Sequence, residues 1–486
     1  MKLNVKGIKY NFIMNLILTT SNFLFPLITF PYVSRVLLPE GVGRVAFAQS
    51  IIEYFSVIAT FGVVGYGVRA CAQARDDKER LSKTVHEIFI INLIMAGISY
   101  ILFFILLYSV ARIHQDFSLF LVVSLSILFT VLGIEWLYKG IENYQYITIR
   151  SIIFKFISLA LIFIFVKDKG DYIYFAGISV FALVGSSILN LINARKIIFF
   201  KRYENYELRK HFLPMLFLCL TSLSYALYIT ANETILGFLS NHQNVGIFSV
   251  ALRVKGILLT FIVALGVVLM PRLSYYIENN LMEEFIDVLN KSMSFIIFIS
   301  FPTAVFFYVY SQEVISVLVG NDFINSILIL KVIIWGIVVT GITNVLGVQV
   351  LLPLKKDKQF FLSIFCAAIL NITLNFILVP KLGALGSAIS LLSAEILVLL
   401  IQMYMLRSML VNIFRKIEYT KIAIACIVTL CITVPISSYI IYFENNLFKI
   451  LVSSVLFYMA YLFLLYIMKE KNISYVLDVL STKLKR

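Results

Sequence analysis

The chain has 486 residues, of which 61% are hydrophobic and only 14% charged, with a formal net charge of +15 and a mean hydropathy of +0.95. Soluble domains hold roughly 45–50% apolar and about 25% charged residues. A water-soluble fold would leave this excess as aggregating patches, so soluble enzymes and soluble binding domains are excluded and the bilayer is the expected solvent.

A helix that crosses a bilayer needs about 20 mostly apolar residues. In chain order such segments fall at 10–34, 41–66, 85–110, 117–138, 147–166, 172–194 and 212–239. The series continues at 245–270, 288–311, 324–352, 360–379, 383–406, 421–443 and 446–468. The predicted fold is therefore all-α and integral to a membrane, with about fourteen transmembrane helices. The stretch 324–352 is long enough to contain a kink. Lys2, Lys6 and Lys9 precede an apolar run too long for a signal-peptide core, so no cleavable leader is expected. Segments between spans do not exceed about 20 residues, too few for an extramembrane catalytic domain with its own core.

Lysine and arginine placement predicts the orientation. With the N-terminus inside, about 30 basic residues fall on inside segments and about 7 outside, which puts both termini in the cytoplasm. The inside tail ends Lys483, Lys485, Arg486. Basic pairs such as Arg195-Lys196, Arg209-Lys210 and Lys355-Lys356 are short runs between apolar stretches, so no continuous face for nucleic acid is expected. The inside stretch from Arg195 to His211 alternates basic residues with Phe199, Phe200, Tyr203 and Tyr206 and is expected to lie on the anionic inner surface. Cys71, Cys219, Cys366, Cys426 and Cys431 show no metal-pair spacing and read as packing residues. The four histidines show no ligand spacing either, and no Gly-Lys dipeptide exists to end a phosphate-binding loop.

A short internal repeat is present. Val42-Gly43, followed by Ala46 and Ala48, parallels Val245-Gly246, followed by Ser249 and Ala251. Paired halves of this kind are a transporter signature, with substrate bound where halves meet.

Ionisable residues near mid-span carry the functional signal, because each opposes insertion by roughly 2.5–3.5 kcal/mol unless it meets water or a partner. Arg253, Lys255, Lys155, Glu53 and Glu395 are central, and Lys331 nearly so. Arg35 and Arg44 sit near span ends beside Pro39-Glu40-Gly41, where snorkelling to headgroups competes with a functional role. Lys155 and Glu53 also admit a plain structural salt bridge. Arg253 and Lys255 lie two residues apart and point to different helix faces, which favours Arg253 over Lys255 for any one cavity. A net cationic cavity implies an anionic substrate group, and guanidinium pairs well with a diphosphate.

Several motifs then resemble a known family. FPLITFPYVSR at 25–35 followed by VLLPEGVGRVAFAQS, YGVRACAQARDDKERLSK at 66–83, EIFIINLI at 87–94 and WLYKGIENYQYITIR at 136–150 carry the first half. VGIFSVALRVKGI at 245–257, VLMPRLSYY at 268–276, VQVLLPLKKDKQF at 348–360 and LNITLNFILVPKLGALGSAIS at 370–390 carry the second. Together they resemble the Wzx-type oligosaccharide flippases, the polysaccharide transport branch of the multidrug/oligosaccharidyl-lipid/polysaccharide exporter superfamily.

The resemblance implies two pseudo-symmetric six-helix bundles, 1–200 and 212–406, joined by a cytoplasmic linker at 201–211. Two additional helices and a basic cytoplasmic tail would occupy 407–486. It further implies a non-enzymatic flippase of undecaprenyl-diphosphate-linked oligosaccharide, working by alternating access in the bacterial inner membrane for O-antigen or capsule. Arg35, Arg253, Lys255, Arg44 and Lys155 are the candidates for diphosphate contact. Glu53, Glu395, Asn232 and Glu233 are the candidates for coupling to Na+ or H+. No metal or organic cofactor is expected, and the polymerase and chain-length proteins of the same pathway are expected partners beside the bilayer.

Two departures stand out: Leu37-Leu38-Pro39 replaces the family's usual Leu-Gly-Pro, and Asn232, followed by Glu233, replaces a usual acid. The rival readings are a cation-coupled drug antiporter, which needs a dominant acidic site, and a membrane polysaccharide polymerase, which needs a sizeable outside loop.

Overall fold

A computed structural model of the chain describes residues 7–414, 417–439 and 446–473. The basic tail ending Lys483, Lys485, Arg486 lies outside the described residues. Nineteen α-helices and no strand occur among them. In chain order they are α1 (Ile8–Thr60), α2 (Val63–Ala74), α3 (Lys78–Ser109), α4 (Ala111–His114), α5 (Phe117–Leu132) and α6 (Glu135–Gly140). Next come α7 (Tyr144–Phe165), α8 (Tyr172–Ile197), α9 (Leu208–Leu239), α10 (His242–Glu278), α11 (Met282–Val309) and α12 (Ser311–Leu318). The rest are α13 (Ser326–Ile333), α14 (Gly336–Asn344), α15 (Asp357–Leu382), α16 (Ala384–Met405), α17 (Arg407–Phe414), α18 (Tyr419–Tyr439) and α19 (Asn446–Ile467).

Thirteen candidate membrane spans occur among the described residues, the first running from Tyr10 to Ala74 over 65 residues. At 1.5 Å per residue that run measures roughly 98 Å, some three times a hydrocarbon core. It breaks at Leu38, where φ is 61° and ψ is 174°, and so reads as two crossings. The thirteen segments thus hold the fourteen spans expected from hydropathy. The cause of the break is Pro39, which has no N–H for the carbonyl of residue 35. It also forces Leu38 out of helical ψ. Leu38 takes a conformation that only glycine adopts without strain, at about 1–3 kcal/mol. Leu38→Gly should therefore raise the thermal midpoint in detergent, with a net gain of about 1 kcal/mol after its lost apolar contact. An unchanged or lower midpoint would contradict the strain.

The chain divides into two compact units, Met1–Gly246 and Ile247–Arg486. In the first, α1 packs against α3, α5, α7 and α9. The core of this unit gathers Trp136, Leu137 and Tyr138 of α6 around Cys71 and Leu81. The expected linker 201–211 is helical from Leu208 on, and the irregular stretch between α8 and α9 docks on the start of α3. The Phe199 amide donates to Ser82 Oγ at 2.9 Å, Lys78 Nζ lies 4.2 Å from the Phe199 ring, and Lys201 pairs with Glu79. Its aromatic and basic side chains are thus partly engaged by α3.

The internal repeat has a physical counterpart inside this unit. A Cβ built on Gly43 would lie 1.7 Å from the His242 carbonyl oxygen, and one on Gly246 would lie 1.9 Å from the Pro39 carbonyl oxygen. Each glycine meets the carbonyl four residues before the other. Only glycine permits backbones so close.

In the second unit, α15 pairs with α16, and α11 packs on α14. The two C-terminal helices dock on α11, with the Tyr461 hydroxyl donating to the Phe298 carbonyl at 3.0 Å and the Tyr458 hydroxyl to Thr303 Oγ1 at 3.2 Å. The long stretch 324–352 is interrupted twice. α13 and α14 are separated by a turn at 334–335, and α14 continues as a π-helix, Val345–Leu351. π-helical turns concentrate at functional sites.

Candidate functional site

The mid-span charges fall into separate settings. In the first unit, Lys155 sits halfway along α7. Its ammonium donates to Ser21 Oγ at 2.6 Å and to Asn22 Oδ1 at 2.6 Å, both on α1. The salt bridge to Glu53 that the sequence admits is not the contact observed. Instead a cation rests on two neutral oxygens, which leaves its charge available to an anion. Glu53 lies on the second half of α1, where that helix crosses α9. Glu53 and Glu233 flank Tyr54, and the Thr234 hydroxyl donates to Ser50 Oγ at 2.9 Å. The packing of α1 on α9 therefore puts both carboxylates, far apart in sequence, within electrostatic reach of the same tyrosine. Asn232, their neighbour, is fully buried.

Arg35 is exposed on the last turn before the Leu38 break, and Arg44 is partly buried beyond it. Arg44 is held in an ion network: Nη2 pairs with Glu40 Oε1 at 2.8 Å, Nη1 bonds buried Asp116, and His242 Nε2 lies 3.5 Å from the other Asp116 oxygen. Arg44 would have to leave these carboxylates to meet a phosphate.

In the second unit, Arg253 and Lys255 separate as their spacing dictates. Lys255 is buried and ion-paired with Glu395 of α16, also buried, whereas Arg253 is half-buried. The pair abuts Gly336, the first residue after the turn at 334–335; a Cβ there would fall 2.0 Å from Glu395 Oε2. Oε2 is buried without a hydrogen-bond partner, and the Thr340 hydroxyl stands near the carboxyl group. The glycine exists at this break because the ion pair fills the space. Lys331 lies over the Tyr308 ring at 5.6 Å, a structural cation–π contact. Between α15 and α16, Ser387 Oγ donates to Asn375 Oδ1 at 2.8 Å, and Asn375 Nδ2 donates to Asn371 Oδ1 at 2.9 Å. Among the described residues no cluster of three His, Cys, Asp or Glu side chains is arranged to hold a metal ion.

A family model described as "Polysaccharide biosynthesis protein" matches residues 8–277. The chain belongs to this polysaccharide biosynthesis protein family. Among curated relatives it is 24% identical over 418 residues to a "Putative O-antigen transporter" of Escherichia coli K12, covering 84% of this chain and 99% of the relative. It is 24% identical over 414 residues to "Capsular polysaccharide biosynthesis protein CapF" of Staphylococcus aureus, covering 82% and 98%. Its fold is similar to "Lipid II flippase MurJ, inward closed conformation", with a TM-score of 0.74 at 18% identity over 95% of this chain and 100% of that one. An inward-facing multidrug resistance MATE transporter follows at 0.63 and 14%, covering 81% and 95%. The chain is thus a multi-pass membrane protein with a transporter fold.

Three arrangements in this polysaccharide biosynthesis family member escape a reading of spans alone. Arg150 is buried at the break between α5 and α6, bonded to Asn190 Oδ1 and to the Ser186 carbonyl at 3.2 Å. Asp116 anchors Arg44 and His242 together. His211 Nε2 lies 2.8 Å from Glu87 Oε2 and its Nδ1 2.7 Å from the Tyr66 hydroxyl, tying α2, α3 and α9. All three join residues more than 30 positions apart, so no local pattern marks them. Gly133-Ile134-Glu135 was the one available signal for the first, as a glycine and an acid interrupting an apolar run.

Proposed function

We propose that the chain is a flippase moving undecaprenyl-diphosphate-linked oligosaccharide repeat units from the cytoplasmic to the outer leaflet of a bacterial inner membrane, for O-antigen or capsule. Transport proceeds by alternating access, with both termini cytoplasmic. The observation that carries the reading is the placement of Lys155, Arg253 and Lys255 midway along apolar helices, in a fold shared with a lipid II flippase and in a family described as polysaccharide biosynthesis proteins. Arg35 and Lys155 in the first unit, and Arg253 in the second, are the proposed contacts for the diphosphate. Arg44 and Lys255 join them only by exchanging their carboxylates for phosphate.

Chemistry supports this assignment. Charge-assisted bonds from guanidinium or ammonium to phosphate oxygens are among the strongest polar contacts, and more so away from water. Outward movement of an anion across an inside-negative membrane is favoured by about 2.3 kcal/mol per charge per 100 mV. Na+ or H+ coupling would run through Glu53 and Glu233, which share Tyr54, or through Glu395 once released from Lys255. The polymerase and chain-length proteins of the pathway remain the proposed partners.

The test is complementation of a flippase-null strain supplied with a defined repeat-unit pathway. Surface polysaccharide should return with the wild-type chain. It should be lost with Arg253→Ala or Arg35→Ala at unchanged membrane levels, and part of it should persist with Arg253→Lys. Full surface polysaccharide in both Ala variants would remove the arginines from the mechanism.

A further inference from the structure

The first unit carries a second basic site that the flipping mechanism does not use. A groove of about 420 Å³ opens at the start of α7 against α8, lined by Asn143, Gln145, Tyr146, Arg150, Ile153 and Leu189 among others. Its walls are apolar and open: Ile153 and Leu189 are 51% and 42% exposed. Its base is Arg150, only 6% exposed, whose Nε is buried without a hydrogen-bond partner. A guanidinium has five N–H donors in a fixed fork, and a buried donor left unmade costs free energy.

The local charge is positive. Glu135 Oε2 lies 3.7 Å from Arg150 Nη2, but the other Glu135 oxygen is held at 2.8 Å by Lys139. Glu142, next in sequence to the lining residue Asn143, is engaged by Arg75 at 2.7 Å. Two cations therefore share one carboxylate beside the floor, and the neighbouring Glu142 is neutralised. The N-terminus of α7 adds to this field: no side chain caps it, and its first residues line the groove. Unsatisfied N–H groups and the positive end of a 22-residue helix attract anions.

We propose that this groove binds the phosphate headgroup of an anionic glycerophospholipid, with Arg150 and the first turn of α7 taking the phosphate and Ile153 and Leu189 taking the upper acyl chain. The lysine and arginine bias assigns this end of α7 to the cytoplasmic leaflet, and basic pockets between transmembrane helices on that side suit anionic lipids. The volume fits a phosphate, a glycerol and a few methylenes, near the lower limit for ligand pockets, and leaves no room for an oligosaccharide. A resident phospholipid is thus favoured over the transported cargo. Bound there, it would brace α7, the helix that carries Lys155.

Native mass spectrometry of the purified full chain with equimolar phosphatidylglycerol and phosphatidylcholine tests this. The wild-type chain should retain one phosphatidylglycerol in about tenfold preference, the scale expected of a charge-assisted contact. Arg150→Gln should abolish the preference. Ile153→Trp should do the same by filling the groove while Arg150 stays; its exposed position keeps it informative if Arg150→Gln does not fold. A preference that survives Ile153→Trp would overturn the proposal, as would wild-type binding of both lipids alike or retention of a lipid-linked diphosphate in place of the phospholipid.

Discussion

Gly43→Ala should unfold or disassemble the first unit, although it adds a single methyl group. The added carbon would stand 1.7 Å from the His242 carbonyl oxygen and 2.7 Å from the Gly246 amide nitrogen. Both neighbours are backbone, so no side chain can swing aside, and the helices must part by more than an ångström. Overpacking costs about 1–3 kcal/mol where side chains can adjust, and more where they cannot. The expected loss exceeds about 3 kcal/mol, large against the stability of most domains. Gly246→Ala should match it, because its carbon would meet the Pro39 carbonyl oxygen at 1.9 Å. Gly97, on α3, has nothing within 4 Å of a built Cβ, so Gly97→Ala should instead stabilise by up to about 1 kcal/mol through helix propensity. Thermal unfolding of the purified proteins separates these outcomes. A Gly43→Ala protein as stable as wild type would mean the two helices do not cross as described.

Glu395→Ala should be nearly as damaging, for an electrostatic reason. It would strand the Lys255 ammonium in a buried site beside Gly336, and breaking a buried pair from one side costs about 3–5 kcal/mol. Removing both charges is different. Lys255→Met with Glu395→Leu should recover most of that loss, since apolar replacements of a buried pair are often neutral or better. A double-mutant cycle then gives the coupling directly. Function supplies the sharper reading. If the pair only locks α10 to α16, the double variant should restore surface polysaccharide along with stability. If Glu395 also couples an ion or Lys255 also meets phosphate, the double variant should fold and still fail to export. Stability unchanged by Glu395→Ala would contradict the buried pairing.

Much of the architecture is legible from hydropathy because each span must satisfy the bilayer on its own. The long segment 324–352 is flagged by length alone, and its turn and π-helix bear out the kink. The repeat at Gly43 and Gly246 is legible because close backbone approach demands glycine at both copies. What a one-dimensional pattern does not give is rotation about each helix axis, and with it the partners. Hydropathy places Glu395 at mid-span but not opposite Lys255, and it places Lys155 centrally but not against Ser21 and Asn22. Spacing does separate Arg253 from Lys255, since two residues on a helix diverge by about 200°. Asp116, a short-loop acid, becomes an anchor for Arg44 only once α5 is packed on α1. Arg150 is hidden for the same reason, lying near a span end where a basic residue usually marks topology.

Translocation of a lipid-linked oligosaccharide in sealed proteoliposomes tests the central claim most directly. Labelled sugar delivered to one leaflet is followed as it becomes accessible to an impermeant reagent on the other. The wild-type chain should move it, faster under an inside-negative potential when transport runs outward, and Arg253→Ala and Arg35→Ala should each slow it by more than about tenfold, a loss of at least 1.4 kcal/mol in barrier terms. Vesicles in which both Ala variants transport at the wild-type rate, or in which the wild-type chain moves no lipid-linked sugar, would contradict the account.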